Sequence, residues 1–169
     1  MKIQNIPGWN SLSLMEQLAV PFAPEQVKWR PGTITKDGSK GMALAYIDAR
    51  DVMDRLNLVM GQEYWESEIT VFGNIIVCKL SLWVELGDGS LVRRSKSDGA
   101  GETDVEGEKG GVSDALKRAA VQWGIGRYLY ALPSPWVPVE NRRLKETPQL
   151  PHWALPENWI ARVVKERQQ

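Results

Sequence analysis

Two adjacent cations, Lys117 and Arg118, are the residues whose type and setting point most directly to a chemistry. They lie in a segment, Gly110 to Tyr128, that projects as a helix. At about 100° per residue, Val112, Leu116, Ala119 and Trp123 fall on one side, flanked by Ala115 and Ala120. Lys117 and Arg118 fall on either side of the opposite face and point away from this core stripe. Cations fixed on a rigid helix suit phosphate contacts, because phosphates set position and supply much of the affinity for nucleic acid. On spacing alone, a solvated helix face is the simpler account of the pair. Gly124 and Gly126 are costly inside a helix and need close packing or a kink to explain them.

Catalytic chemistry finds little footing elsewhere. Asp98, Glu102, Asp104, Glu106 and Glu108 sit in a Gly-rich acidic stretch, Asp98 to Lys109, that matches neither an EF-hand nor a nuclease signature. A solvated loop accounts for it. Asp48, Asp51 and Asp54 recur every third residue, which a helix cap plus exposed charge explains more simply than a two-metal site. His152 is the only histidine and lies in a Pro-rich tail, a poor setting for acid–base work. No Gly-rich phosphate loop ending in Gly-Lys-Ser or Gly-Lys-Thr is present, which argues against an ATP-driven recombinase. Cys78, the only cysteine, falls on the apolar face of a strand and reads as core. No catalytic residue, metal or cofactor is therefore expected.

The elements that must position these residues are legible in part. Ser13 and Glu16 form a capping-box pattern within an apolar helical stripe from Ser11 to Phe22. Val27 to Ile34 and Gly41 to Tyr46 read as a hairpin around Lys36-Asp37-Gly38-Ser39. Asp48 caps a helix to about Met60, and Gly61 ends it. From Ile76 to Leu86 every even residue is apolar, the mark of a half-buried antiparallel strand. Tyr64 to Phe72 before it and Ser90 to Ser97 after it complete a three-stranded meander, and a long helix then runs from about Gly111 to Tyr130. Beyond Leu132 six prolines forbid long regular elements, though a short helix from Glu157 to about Arg167 is expected. The fold class is α+β: a curved antiparallel sheet, hairpin plus meander, packed against a long helix. Residues 1–132 are expected to form the working domain and 133–169 a Pro-rich C-terminal extension.

Composition bounds the partners. Lysine plus arginine equals aspartate plus glutamate at 21 each, whereas the usual footprint of a nucleic-acid binder is a basic excess. Charge segregated onto faces would reconcile the two. One cysteine allows no intrachain disulfide. Met1 to Pro7 lacks the basic and apolar runs of a secretory signal, and no stretch nears the ~18 apolar residues of a membrane span. A reducing, cytoplasmic setting is expected.

The segment from Ser113 to Ala119, followed by an aromatic and glycines, resembles the signature helix of the Rad fifty-two/twenty-two (Rad52/22) family of single-strand annealing proteins. Pro24 to Arg30 is similar to that family's first strand. Tyr46 to Val52, Leu56-Asn57 and Tyr64-Trp65 are similar to its next helix and the start of its sheet, and Asp88-Gly89-Ser90 stands at the matching hairpin turn. The similarity covers roughly Leu18 to Leu132, in order and with compatible spacing.

The resemblance implies a ring of subunits with a basic groove that holds the backbone of single-stranded DNA, bases outward. Its groove residues match Arg30, Lys117 and Arg118 here, with Lys28 and Lys40 near them on the hairpin. Some members carry a further arginine where this chain has Val121, and Arg127 is the candidate substitute. The family's second, outer DNA site falls near Asn74 and the stretch Glu102 to Glu108, with no basic match. The implied activity is annealing of complementary strands by a homo-oligomer without ATP, for recombination and repair, with a single-strand binding protein as a further partner. The alternatives are a protein-interaction module of the same fold, with Trp136, Trp153 and Trp159 on its partner surface, and, less economically, a metal-dependent nuclease. Trp29 and Trp83 are base-stacking candidates that burial in the sheet explains more simply.

Overall fold

Short-range hydrogen bonding fixes where the first helices begin. The Ser13 amide donates to Glu16 Oε2 at 2.7 Å and the Glu16 amide to Ser13 Oγ at 3.4 Å, the reciprocal box expected from Ser-x-x-Glu. A second box joins Asp48 and Asp51, whose Oδ2 accepts the Asp48 amide at 2.9 Å. In this computed structural model, which describes residues 2–101 and 107–168 (only the backbone for 107–109), the elements follow in chain order. They are α1 (Leu14–Ala19), β1 (Lys28–Ile34), β2 (Lys40–Tyr46), α2 (Ala49–Met60), β3 (Trp65–Phe72), β4 (Ile75–Glu85), β5 (Leu91–Gly101), α3 (Gly107–Val121), β6 (Trp136–Glu140), β7 (Arg143–Leu144) and α4 (Pro156–Glu166). The fold is mixed α+β with antiparallel sheets. The expected Glu102, Asp104 and Glu106 of the acidic stretch lie outside the described residues, as do the side chains of Glu108 and Lys109.

The strands form two sheets, where one hairpin-plus-meander sheet was expected: β1-β2-β6-β7, and β3-β4-β5. The chain correspondingly divides into two compact units. One comprises Met1–Leu12, Val20–Ile47 and Tyr128–Gln169 and holds the four-stranded sheet with α4. The other comprises Ser13–Ala19 and Asp48–Arg127 and holds the meander with α1, α2 and α3.

In the meander unit, Ile76, Cys78, Leu80 and Leu82 are all buried, so the period of two in β4 becomes a core face. Burial also pushes the Cys78 thiol pKa up, consistent with a packing role. Leu86, assigned to the same face, lies past the end of β4 and is exposed. From α3, Leu116, Ala115, Ala119, Ala120 and the following Trp123 are buried, and the Trp123 indole donates to the Leu80 carbonyl at 3.3 Å. Val112 was expected on this stripe and is exposed instead. Gly111 takes the close approach: a Cβ there would stand 2.5 Å from Ile76 Cδ1. On α2, Arg55 is buried and donates from Nη1 to the Gln17 and Leu18 carbonyls, both at 3.2 Å, so it satisfies the open end of α1.

The helix expected to reach Tyr130 stops at Val121. Gly124 (φ 93°) and Gly126 (φ 69°) adopt left-handed backbone that ends it, and a 3-10 turn, Arg127–Ala131, follows. Close packing contributes as well, since a Cβ on Gly124 would meet Ala19 Cβ at 3.0 Å.

In the other unit, β2 pairs with β1 on one side and β6 on the other, and β7 comes round beside β1, so the sheet curls. Prolines were expected to bar long regular elements after Leu132, and within that limit a short strand that was not foreseen, β6, forms. On its β2 side, Trp136, Val137 and Pro138 lie opposite Met42, Gly41 and Lys40. The Val139 amide donates to the Ser39 carbonyl at 3.0 Å, so the missing Pro138 amide falls at a position that donates nothing to β2. A two-residue turn, Asn141 (φ 50°) and Arg142 (φ 60°), joins β6 to β7. The short C-terminal helix forms as expected, at Pro156–Glu166.

Candidate nucleic-acid interface

Register decides which strand cations act together. Lys28 lies opposite Tyr46 and Arg30 opposite Leu44 across β1 and β2; Lys40 lies opposite Pro138 and Met42 opposite Trp136 across β2 and β6. Directly opposed side chains share a face, and so do residues two apart on a strand. Lys28, Arg30 and Lys40 therefore share one face of the four-stranded sheet, and all three are exposed. The opposite face takes Ala43 and Val137, both buried. Trp29 also belongs to that opposite face and is half-buried, as is Trp83 in the other unit, where the Arg93 guanidinium lies over its ring.

The hairpin tip between β1 and β2 is tied by Asp37. Its carboxylate accepts from Thr35 Oγ1 at 2.6 Å, from the Ser39 amide at 3.1 Å and from Ser39 Oγ at 2.9 Å. These bonds, the Thr35 hydroxyl first, bring its pKa down from 3.8 to about 2. Its acceptor capacity is thus used locally, and Arg30 and Lys40 have no acidic partner among the described residues.

The helix cations are held differently. Lys117 Nζ lies 2.7 Å from Asp114 Oδ1, one turn back on α3, and Arg118 Nε lies 3.1 Å from Asp98 Oδ1 on β5. Arg118 is the more open of the two, with 52% of its side chain exposed against 28% for Lys117. Sequence spacing placed both off the core stripe; Asp114, three residues before Lys117, was within reach of the same helical spacing, whereas Asp98 comes from another element. Arg127 is exposed but does not extend the α3 row, because the helix ends before it. At that end Lys96 Nζ donates to the Gln122 carbonyl at 2.6 Å and lies 4.6 Å from the Trp123 ring, a cation placed where the helix is electronegative.

Charge does segregate, along the division of the chain. The unit with the four-stranded sheet has eleven Lys and Arg against six Asp and Glu, net +5; the meander unit has ten against fifteen, net −5. Part of the excess is Arg142, Arg143 and Lys145, which sequence reasoning passed over. Their clustering was visible, but the prolines around Trp136 hid β6, whose hairpin with β7 places Arg142 in the turn, Arg143 on β7 and Lys145 just past it. Among the described residues no helix is long and apolar enough to cross a membrane.

A mixed α+β chain with a cationic sheet face and a Ser-Asp-Ala-Leu-Lys-Arg-Ala helix has the features of a DNA-repair family. The family model described as Rad52/22 family double-strand break repair protein matches residues 10–147, and the chain belongs to that family. Among its relatives is the single-stranded DNA-binding protein DdrA of Deinococcus deserti, 41% identical over 148 residues, covering 86% of this chain and 71% of the relative. DdrA of Deinococcus radiodurans is 36% identical over 148 residues, covering 86% of this chain and 69% of the relative.

Proposed function

We propose that the chain binds single-stranded DNA through the phosphate backbone, in a basic groove of a homo-oligomeric ring, and anneals complementary strands without ATP. The reading is carried by the shared face of Lys28, Arg30 and Lys40, in a unit of net +5, in a chain whose relatives are named for binding single-stranded DNA. Lys117 and Arg118 on α3 supply further phosphate contacts, and Arg127 a peripheral one.

The work is geometric and thermodynamic. Phosphate contacts release counterions and hold the strand extended. Base edges left open then sample a complementary strand, and pairing supplies the driving force. Oligomerisation converts weak contacts per subunit into tight binding. Support for self-association comes from the β3–β4 hairpin. There Ile69, Val71, Phe72 and Ile75 are exposed, and β3 is an edge strand with no neighbouring strand on its outer side among the described residues. A head-to-tail contact that closes makes a ring.

The test mixes two complementary labelled oligonucleotides with the protein, without ATP or divalent metal, at two salt concentrations. Faster duplex formation that fades at higher salt is the expected result. Binding without acceleration removes the annealing activity from the reading, and a folded protein that does neither overturns it.

A further inference from the structure

The register that groups the strand cations continues onto β6 and β7. Trp136 and Pro138 share the face of Met42 and Lys40, Glu140 follows them two residues on, and Arg143 lies opposite Glu140. The Lys145 amide donates to the Pro138 carbonyl at 2.9 Å, which keeps Lys145 in step with that row. One face of the curled sheet therefore carries Lys28, Arg30, Lys40, Arg143 and Lys145 around an indole that is 50% exposed. The acid on this stretch is Glu140, whose Oε1 lies 3.4 Å from Lys145 Nζ with both side chains largely in solvent. Such an exposed pair is weak and exchanges readily for a phosphate.

We propose that Trp136, Arg143 and Lys145 form an additional single-stranded DNA contact, continuing the strand-cation face onto the β6–β7 hairpin. The two cations take phosphates and the open face of the indole stacks on a base. An aromatic ring set among cations is the arrangement that holds single strands without regard to sequence, since every base offers a π-face. Trp136 and Glu140 are four residues apart, about 14 Å along an antiparallel strand, so the base contact and the Arg143 contact fall at separate points of one bound strand. The two-residue turn at Asn141 and Arg142 fixes the register that puts Arg143 on this face. The inference rests on the single-strand binding reading above.

The experiment uses the full chain and two fluorescein-labelled probes of equal length, an oligothymidylate and an abasic phosphodiester that keeps the phosphates but has no bases. Trp136→Ala is expected to lower oligothymidylate affinity about tenfold, within the range for losing one stacked base, and to leave abasic affinity unchanged. Trp136→Phe, which keeps a ring, is expected to restore most of the loss. Arg143→Gln with Lys145→Gln is expected to reduce the slope of log K against log salt by about 1.4, two phosphates at roughly 0.7 each, on both probes alike. Equal loss on both probes for Trp136→Ala would mean a packing role and overturn the stacking contact. An unchanged slope would overturn the phosphate contacts while wild-type binding leaves the general reading standing. A wild-type protein that binds neither probe removes both.

Discussion

Two cations of α3, Lys117 and Arg118, and two of the four-stranded sheet, Arg30 and Lys40, differ in how their charge is held. Lys117 is tied to Asp114 and Arg118 to Asp98, whereas Arg30 and Lys40 meet no acid among the described residues. The acid nearest Lys40 in the chain, Asp37, is occupied by Thr35 and Ser39. A tied cation gives up part of its field but arrives at a phosphate with its direction set. An untied one keeps its field and loses side-chain freedom on binding. The acidic unit thus holds Lys117 and Arg118 in place, and the basic unit leaves Arg30 and Lys40 open.

The largest expected effect separates these two modes. Lys117→Ala with Arg118→Ala is expected to weaken single-strand binding about 100-fold at moderate salt and to lower the salt slope by about 1.4. The fold stays intact, because neither side chain belongs to the core. Arg30→Ala with Lys40→Ala is expected to lower the slope equally but affinity only about tenfold, the difference being the fixed direction of the helix pair. Fluorescence anisotropy across a salt series measures both. A strand pair that costs more than the helix pair would invert the comparison, and wild-type affinity and slope in the helix variant would remove Lys117 and Arg118 from the interface.

Next in size is the turn that ends the helix. Gly124→Ala must place a Cβ at φ 93° and 3.0 Å from Ala19 Cβ, at a cost of about 2 kcal/mol. A melting temperature several degrees lower is the expected readout, with DNA affinity per folded molecule nearly unchanged. An unaltered melting temperature would show that the turn relaxes freely.

That turn also marks how far the sequence could be read. Alternation in β4, the Asp48–Asp51 box and the β1–β2 hairpin are local patterns, and each formed within a residue or two of its expected bounds. The Ser13–Glu16 box formed too, but its helix, Leu14–Ala19, is three residues shorter at each end than expected. The end of α3 was overshot because residues after Val121 keep a helical apolar spacing, while the left-handed glycines that break it carry no side chain to signal their conformation. Strand β6 was missed because its proline density reads as irregular when pairing partners are unknown, and β2 lies about a hundred residues away in the chain. The candidate site was legible by residue type: Lys28, Arg30, Lys40, Lys117 and Arg118 were named from motif and resemblance. Of the acid partners, Asp114 lies one helical turn from Lys117 and was open to i, i+3 spacing, whereas Asp98 reaches Arg118 only through the packing of β5 beside α3. The shared face of Arg143 and Lys145 needed the register of a strand that local pattern did not reveal.

A smaller effect tests what the tie itself does. Asp98→Asn removes the negative charge facing Arg118 and keeps a side-chain oxygen able to accept its hydrogen bond. Single-strand affinity is expected to rise about threefold at low salt, the scale of one exposed charge contact, and the gain is expected to vanish at high salt. Weaker binding in this variant would mean that Asp98 positions Arg118 more than it screens it.

The smallest effect bears on the untied side. Asp37 has a folded pKa of about 2 against an ordinary 3.8, set by the Thr35 hydroxyl and by Ser39. With the folded value depressed, its contribution to the hairpin turn is fully present above about pH 4 and is lost as pH falls through about 2. Carboxyl NMR is expected to give a midpoint near that value, with the Ser39 amide shift moving in parallel because that amide donates to Asp37. The decisive variant is Lys40→Ala. If hydroxyl and amide donors alone hold the carboxylate ionised, the midpoint stays where it is. A clear rise in the variant would mean that Lys40 is tied to Asp37 much as Arg118 is tied to Asp98. Lys40 would then belong to the same mode as Lys117 and Arg118, and the smaller affinity loss expected for Arg30→Ala with Lys40→Ala would need another cause.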